Sequence, residues 1–82
     1  MIDIAFAINL IGWVGSAAVI LAYILVSADR LKGDSVAYQM LNLFGGVFLI
    51  VNTIYWGAYP STFVNLVWVG IAILAIARAI QK

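Results

Sequence analysis

From Ser35 to Ala77 the chain carries no Asp, Glu, Lys, Arg or His. A helix needs roughly 20 residues to cross a hydrocarbon core about 30 Å thick, so this uncharged stretch is about twice too long for one crossing and must reverse. The break is supplied by Gly57-Ala58-Tyr59-Pro60-Ser61: a glycine able to end one helix, a proline suited to the first turn of the next, and Ser61 and Thr62 as candidate N-caps. A second uncharged stretch, Ile4 to Ala28, is long enough for one more crossing and stops at Asp29. The expected fold is therefore an all-α membrane protein, a three-transmembrane-helix bundle in one domain over residues 1–82. Its helices lie near 4–27, 36–56 and 61–80, joined by a loop at 28–35 and a turn at 57–60. Strict apolar/polar alternation is absent, which argues against a membrane β-barrel.

Composition fits a chain that uses lipid as its solvent. Hydrophobic residues make up 67% and charged residues 9%, and the mean hydropathy is +1.19. The apolar run at the start is longer than a signal-peptide core and is preceded by Asp3 rather than a basic residue, so residues 1–27 are read as structure. Arg30 and Lys32 lie in the loop, Arg78 and Lys82 in the tail, and the opposite side has no Lys or Arg. By the positive-inside rule this places the N-terminus and the Tyr59-Pro60 turn outside and the loop and C-terminus in the cytoplasm.

Chemistry is limited by what is missing. With no Cys and no His, disulfides, thiolate zinc sites and imidazole ligation of haem are excluded. The three acidic residues fall near helix ends or in the loop, which makes a carboxylate pair or a hard-metal cage improbable. No metal, cofactor or enzymatic activity is expected, and a net charge of +1 offers no footprint for nucleic acid.

Placing residues at about 100° intervals gives each helix a stripe of small and polar side chains. In the first helix it holds Asn9, Gly12, Gly15, Ser16, Val19, Ala22, Tyr23 and Ser27. In the second it holds Tyr38, Gln39, Asn42, Gly45, Gly46, Leu49, Asn52, Thr53 and Trp56, and in the third Ser61, Thr62, Asn65, Trp68, Ala72, Ala75 and Ala79, with Gly70 opposite. One reading is packing, in which Gly12, Gly15, Ser16, Gly45 and Gly46 let helices approach and amides bond across the contact. The other is a polar lining for an uncharged solute, with Asn42 and Asn65 sharing a site that Asn52, Trp68 and Tyr23 extend. No carboxylate inside a span provides a proton relay, so passive movement is expected. Three helices cannot enclose a path, and a transport role requires a homodimer or larger homo-oligomer. The alternative is a structural or accessory subunit packed against a larger membrane complex. Trp13, Trp56, Tyr55 and Tyr59 are read as anchors at a membrane boundary.

The order Leu10-Ile11-Gly12-Trp13, Asp34-Ser35, Gly45 or Gly46, Tyr55-Trp56-Gly57, then Pro60 with Asn65, resembles the SemiSWEET half-transporters, whose three helices dimerise around a central sugar path. The resemblance implies a SemiSWEET-like bundle with Asn65 at the sugar-binding position. The Pro-Gln hinge of that family has no counterpart between Leu21 and Ser27, the loop is several residues shorter, and Ile50 or its neighbours stand near the place of the stacking Trp. The chain also resembles small bacterial inner-membrane proteins of unknown function through Ala22-Tyr23, Tyr38-Gln39-x-Leu41-Asn42, Tyr55-x-Gly57-Ala58-Tyr59-Pro60-Ser61 and Asn65-x-x-Trp68. That likeness implies a multi-pass protein of the bacterial inner membrane.

Overall fold

A computed structural model describes residues 3–81; Lys82, counted above among the basic residues of the tail, lies outside them. The described chain is three helices, α1 (Ile4–Ser27), α2 (Val36–Tyr55) and α3 (Tyr59–Gln81), each long and apolar enough to cross a membrane. We call the side of residues 28–35 the loop end and the side of Gly57 the turn end.

Local chemistry sets the boundaries. Asp3 caps α1 by accepting the Phe6 N–H at 2.8 Å, and Ser35 caps α2 by accepting that of Tyr38 at 3.2 Å. Both α1 and α2 end in the same left-handed stop. After α2, Gly57 sits at φ 72°, its N–H donates to Ile54 O, and the Ala58 N–H donates to Thr53 O. After α1 the corresponding residue is Asp29, at φ 59°, with donation from Asp29 N–H to Val26 O and from Arg30 N–H to Leu25 O. This paired 6→1 and 5→2 pattern satisfies carbonyls that a helix end otherwise leaves open. Asp29 therefore shapes the turn as well as carrying a charge in the loop.

The third helix starts at Tyr59, two residues before the expected boundary, because Pro60 has no N–H to satisfy and fits the first turn. Ser61 and Thr62 consequently lie inside the helix and do not cap it. The Thr62 N–H donates to Ala58 O.

Packing has α2 in the middle. Helix α2 contacts both others, while among the described residues no Cα of α1 lies within 8 Å of one in α3. Apart from Ile8, buried positions are small or polar: Gly12, Gly15 and Ala22 on α1, Asn42, Gly45, Gly46 and Thr53 on α2, Thr62 and Ala72 on α3. Large apolar side chains such as Trp13, Ile20, Phe44, Phe63 and Leu74 point outward. In lipid no hydrophobic force drives helices together, so cohesion comes from close van der Waals contact and hydrogen bonds, which small and polar residues allow.

Candidate functional site

Two helix contacts, built from different residues of α2, define the surfaces left for function. Toward α1, Gly15 and Gly45 oppose each other so closely that a Cβ on either would fall 2.9 Å from the other's carbonyl oxygen. Nearer the turn end, the Asn52 amide nitrogen donates to Ile8 O at 2.9 Å, lying against Gly12, where a Cβ would collide with it. Trp56 Nε1 donates to Asn9 Oδ1 at 2.9 Å, so this Trp ties α2 to α1 instead of serving only as the anchor expected from its position.

Toward α3, Gly46 faces Val69, Trp68 and the Asn65 backbone. The Thr62 hydroxyl donates to Thr53 Oγ1 at 2.7 Å, and the Thr53 hydroxyl can pass on to Ile50 O at 3.3 Å. Both threonines stand on the polar stripes, but sequence reasoning did not pair them. The available signal was that they flank the turn at similar distances on the inward faces of α2 and α3.

The space between α1 and α3, over α2, forms the principal candidate site. A cavity of about 310 Å³ is lined there by Val19, Ile20 and Tyr23 of α1, Tyr38 and Asn42 of α2, and Trp68 of α3. Asn42 is 3% exposed. Its Oδ1 accepts from Trp68 Nε1 at 3.3 Å, while its amide nitrogen makes no hydrogen bond among the described residues and is not sealed from the adjoining space. Three of the five expected lining residues, Tyr23, Asn42 and Trp68, thus meet in one place. Tyr38 joins them. It stands on the polar stripe of α2, one turn before Asn42.

Asn65 and Asn52 are elsewhere, which corrects the expectation that Asn42 and Asn65 share a site. Asn65 turns its amide back to Ser61 O at 3.0 Å, one turn earlier in its own helix, and lines a shallow recess with Pro60, Ser61 and Val64. Asn52 lines a separate cavity of about 230 Å³ with Asn9, Gly12, Trp13, Ser16 and Leu49. On α1, Asn9, Trp13, Ser16, Ile20 and Tyr23 are spaced by steps of four, three, four and three residues, so the two α1 cavities follow one another along the same side of that helix. Gly70 has open space around it. Among the described residues no group of His, Cys, Asp and Glu is placed to hold a metal ion.

What the arrangement offers chemically is a buried amide side chain at the wall of an open, partly aromatic cavity. Tyr23, Tyr38 and Trp68 contribute aromatic side chains to its wall, and Asn42 contributes a polar contact that burial makes costly to leave unused. There is no nucleophile with a base beside it and no ionisable group in the cavity wall other than the tyrosine hydroxyls. Binding of an uncharged polar group is the chemistry these atoms support.

Compared with known proteins, residues 8–82 match the model of one protein family. No curated protein and no solved structure matches the chain.

Proposed function

We propose, for a chain that belongs to a small uncharacterised family, that it is a half-transporter-like subunit for a small uncharged polar solute, working as two copies that face one another across the Asn42 cavity. The observation that carries this reading is the 3% exposed Asn42 at the wall of a space lined by all three helices, its amide nitrogen without a hydrogen-bond partner among the described residues. A donor in that position is expensive to leave without a partner in an apolar span, and a hydroxyl or carbonyl of a passing solute relieves the cost. One copy leaves the cavity open, so a second supplies the missing wall. The two-copy plan is the one implied by the half-transporter resemblance, although the solute contacts proposed here are Asn42, Tyr23 and Trp68 and exclude Asn65.

The proposal includes orientation and location. Arg30, Lys32 and Arg78 all lie at the loop end, which supports a cytoplasmic loop end in a bacterial inner membrane, with the N-terminus outside. Without a carboxylate in the spans, movement is downhill. The test is stopped-flow light scattering of proteoliposomes mixed with a series of uncharged solutes of rising size. Wild-type protein is expected to speed entry of at least one solute, and Asn42→Leu to abolish the gain while keeping its helical spectrum. Entry no faster than in protein-free vesicles across the series would refute the proposal.

A second reading, an accessory subunit on a larger membrane complex, draws on the other α1 cavity. There the Ser16 hydroxyl, the Asn9 amide nitrogen and the Asn52 Oδ1 take part in no hydrogen bond among the described residues. Polar groups in a spanning region favour cover by protein. Co-purification with a different chain in mild detergent, at fixed stoichiometry, is its expected signature; a homogeneous homo-oligomer would count against it.

A further inference from the structure

At the loop end a third cavity, of about 320 Å³, lies between the start of α2 and the last turns of α3, lined by Gly33, Asp34, Gln39, Ala75, Arg78 and Ala79. Small residues create it. Ala75 and Ala79 stand four apart on one face of α3, and Gly33 faces them with no side chain, so there is room where larger residues would close the gap. Gln39 donates to Gly33 O at 2.9 Å and Ser35 Oγ donates to Lys32 O at 2.7 Å. The first bond ties α2 to the loop between two lining residues, and the second lies within the loop itself. Neither uses Asp34 or Arg78, and among the described residues those two side chains form no ion pair with each other.

A cation and an anion thus flank one space without neutralising one another, at the level where the apolar helices give way to the charged loop. In a bilayer that level is occupied by phospholipid head groups. We infer that this cavity binds the head group of a zwitterionic phospholipid of the phosphoethanolamine type. The Arg78 guanidinium holds the phosphate through its planar fork of donors, and the Asp34 carboxylate accepts from the primary ammonium. The acyl chains lie along the apolar flank of α3. The pairing of signs selects among lipids: a quaternary ammonium has no N–H to give Asp34, and a head group ending in hydroxyls has no cation.

The test uses the full chain in nanodiscs made from equal parts phosphatidylethanolamine, phosphatidylcholine and phosphatidylglycerol, followed by native mass spectrometry of the lipid retained after release. Wild-type protein is expected to keep phosphatidylethanolamine about tenfold over the other two, the factor set by one charge-assisted hydrogen bond. Asp34→Asn should erase the preference over phosphatidylcholine. Arg78→Gln should lower retention of all three, and Ala79→Leu, which fills the cavity without touching a charge, should do the same. Unfolding midpoints measured alongside separate a lost site from a lost fold. A parallel arm offers water-soluble phosphoethanolamine to delipidated protein: Asp34-dependent binding there, without retained lipid, assigns the same chemistry to a free ligand. Retention of the three lipids in the proportions supplied, with no binding of the soluble compound, would overturn the inference, as would an unchanged preference in Asp34→Asn.

Discussion

A methyl group placed on Gly45 would lie 2.6 Å from Val19 Cγ2, 2.9 Å from the Gly15 carbonyl oxygen and 3.3 Å from the Val19 backbone nitrogen. Carbon atoms in contact normally stand about 3.5–4.0 Å apart, so the first of these gaps is short by roughly 1 Å. Val19 is β-branched and has one strongly preferred rotamer in a helix, and the other two atoms are backbone, so no single side chain can swing clear. The helices must separate, which sacrifices contacts along the whole crossing, at a cost of about 1–3 kcal/mol. In lipid no gain from burying the added methyl offsets this. Gly15→Ala meets the same obstacle from the other side, with Phe48 Cβ at 2.8 Å and the Gly45 oxygen at 2.9 Å. Gly70 is the control, because nothing lies within 4 Å of its would-be Cβ; there Ala should add helix propensity of up to about 1 kcal/mol. Unfolding in mixed micelles, titrated with a denaturing detergent and followed by circular dichroism, should place Gly45→Ala and Gly15→Ala well below wild type and Gly70→Ala at or above it. Equal midpoints for Gly45→Ala and Gly70→Ala would refute the close-crossing argument.

The same titration tests two further expectations. Asp29 and Gly57 occupy equivalent left-handed positions, so Asp29→Gly should stabilise and Gly57→Ala destabilise, each by about 1 kcal/mol; shifts of the same sign would show that the stop is not governed by backbone conformation. For the α2–α3 contact, a double-mutant cycle of Thr53→Val and Thr62→Val should return a coupling of about 0.5–1.5 kcal/mol, the range for hydrogen bonds between membrane helices, and a coupling indistinguishable from zero would remove the 2.7 Å bond from the account.

The gross plan was readable because charge and turn chemistry are unambiguous here. Asp29 stops the first apolar run, and Gly57 with Pro60 interrupts the second, so helix number and approximate ends followed from residues alone. Helical periodicity put Gly12, Gly15, Gly45 and Gly46 on inward stripes, where a Cβ at each meets a neighbouring helix. What periodicity could not supply was the assignment of each inward residue to a neighbour. The α2 stripe is broad enough to face two helices, and adjacent residues part company: Gly45 goes to α1 and Gly46 to α3. Nor could it foresee that Asn65 would spend its amide on Ser61 O in its own helix, since that choice depends on whether a partner is within reach. The left-handed Asp29 was equally hidden, because an aspartate inside a charged run looks like any solvated loop residue.

The central position of α2 carries a thermodynamic consequence. Its two flanks draw on disjoint side chains: Gly45 and Asn52 for one neighbour, Asn42, Gly46 and Thr53 for the other. With no Cα of α1 within 8 Å of one in α3 among the described residues, injuries at Gly45 or Asn52 and at Gly46 or Thr53 share no direct helix–helix contact away from the Asn42 cavity, and their free-energy costs are expected to sum approximately. The chain then behaves as two hinged pairs on one axle. Loosening of α3 would leave the grip between α1 and α2 intact, so the cavity over Asn42 could widen without the rest of the molecule coming apart.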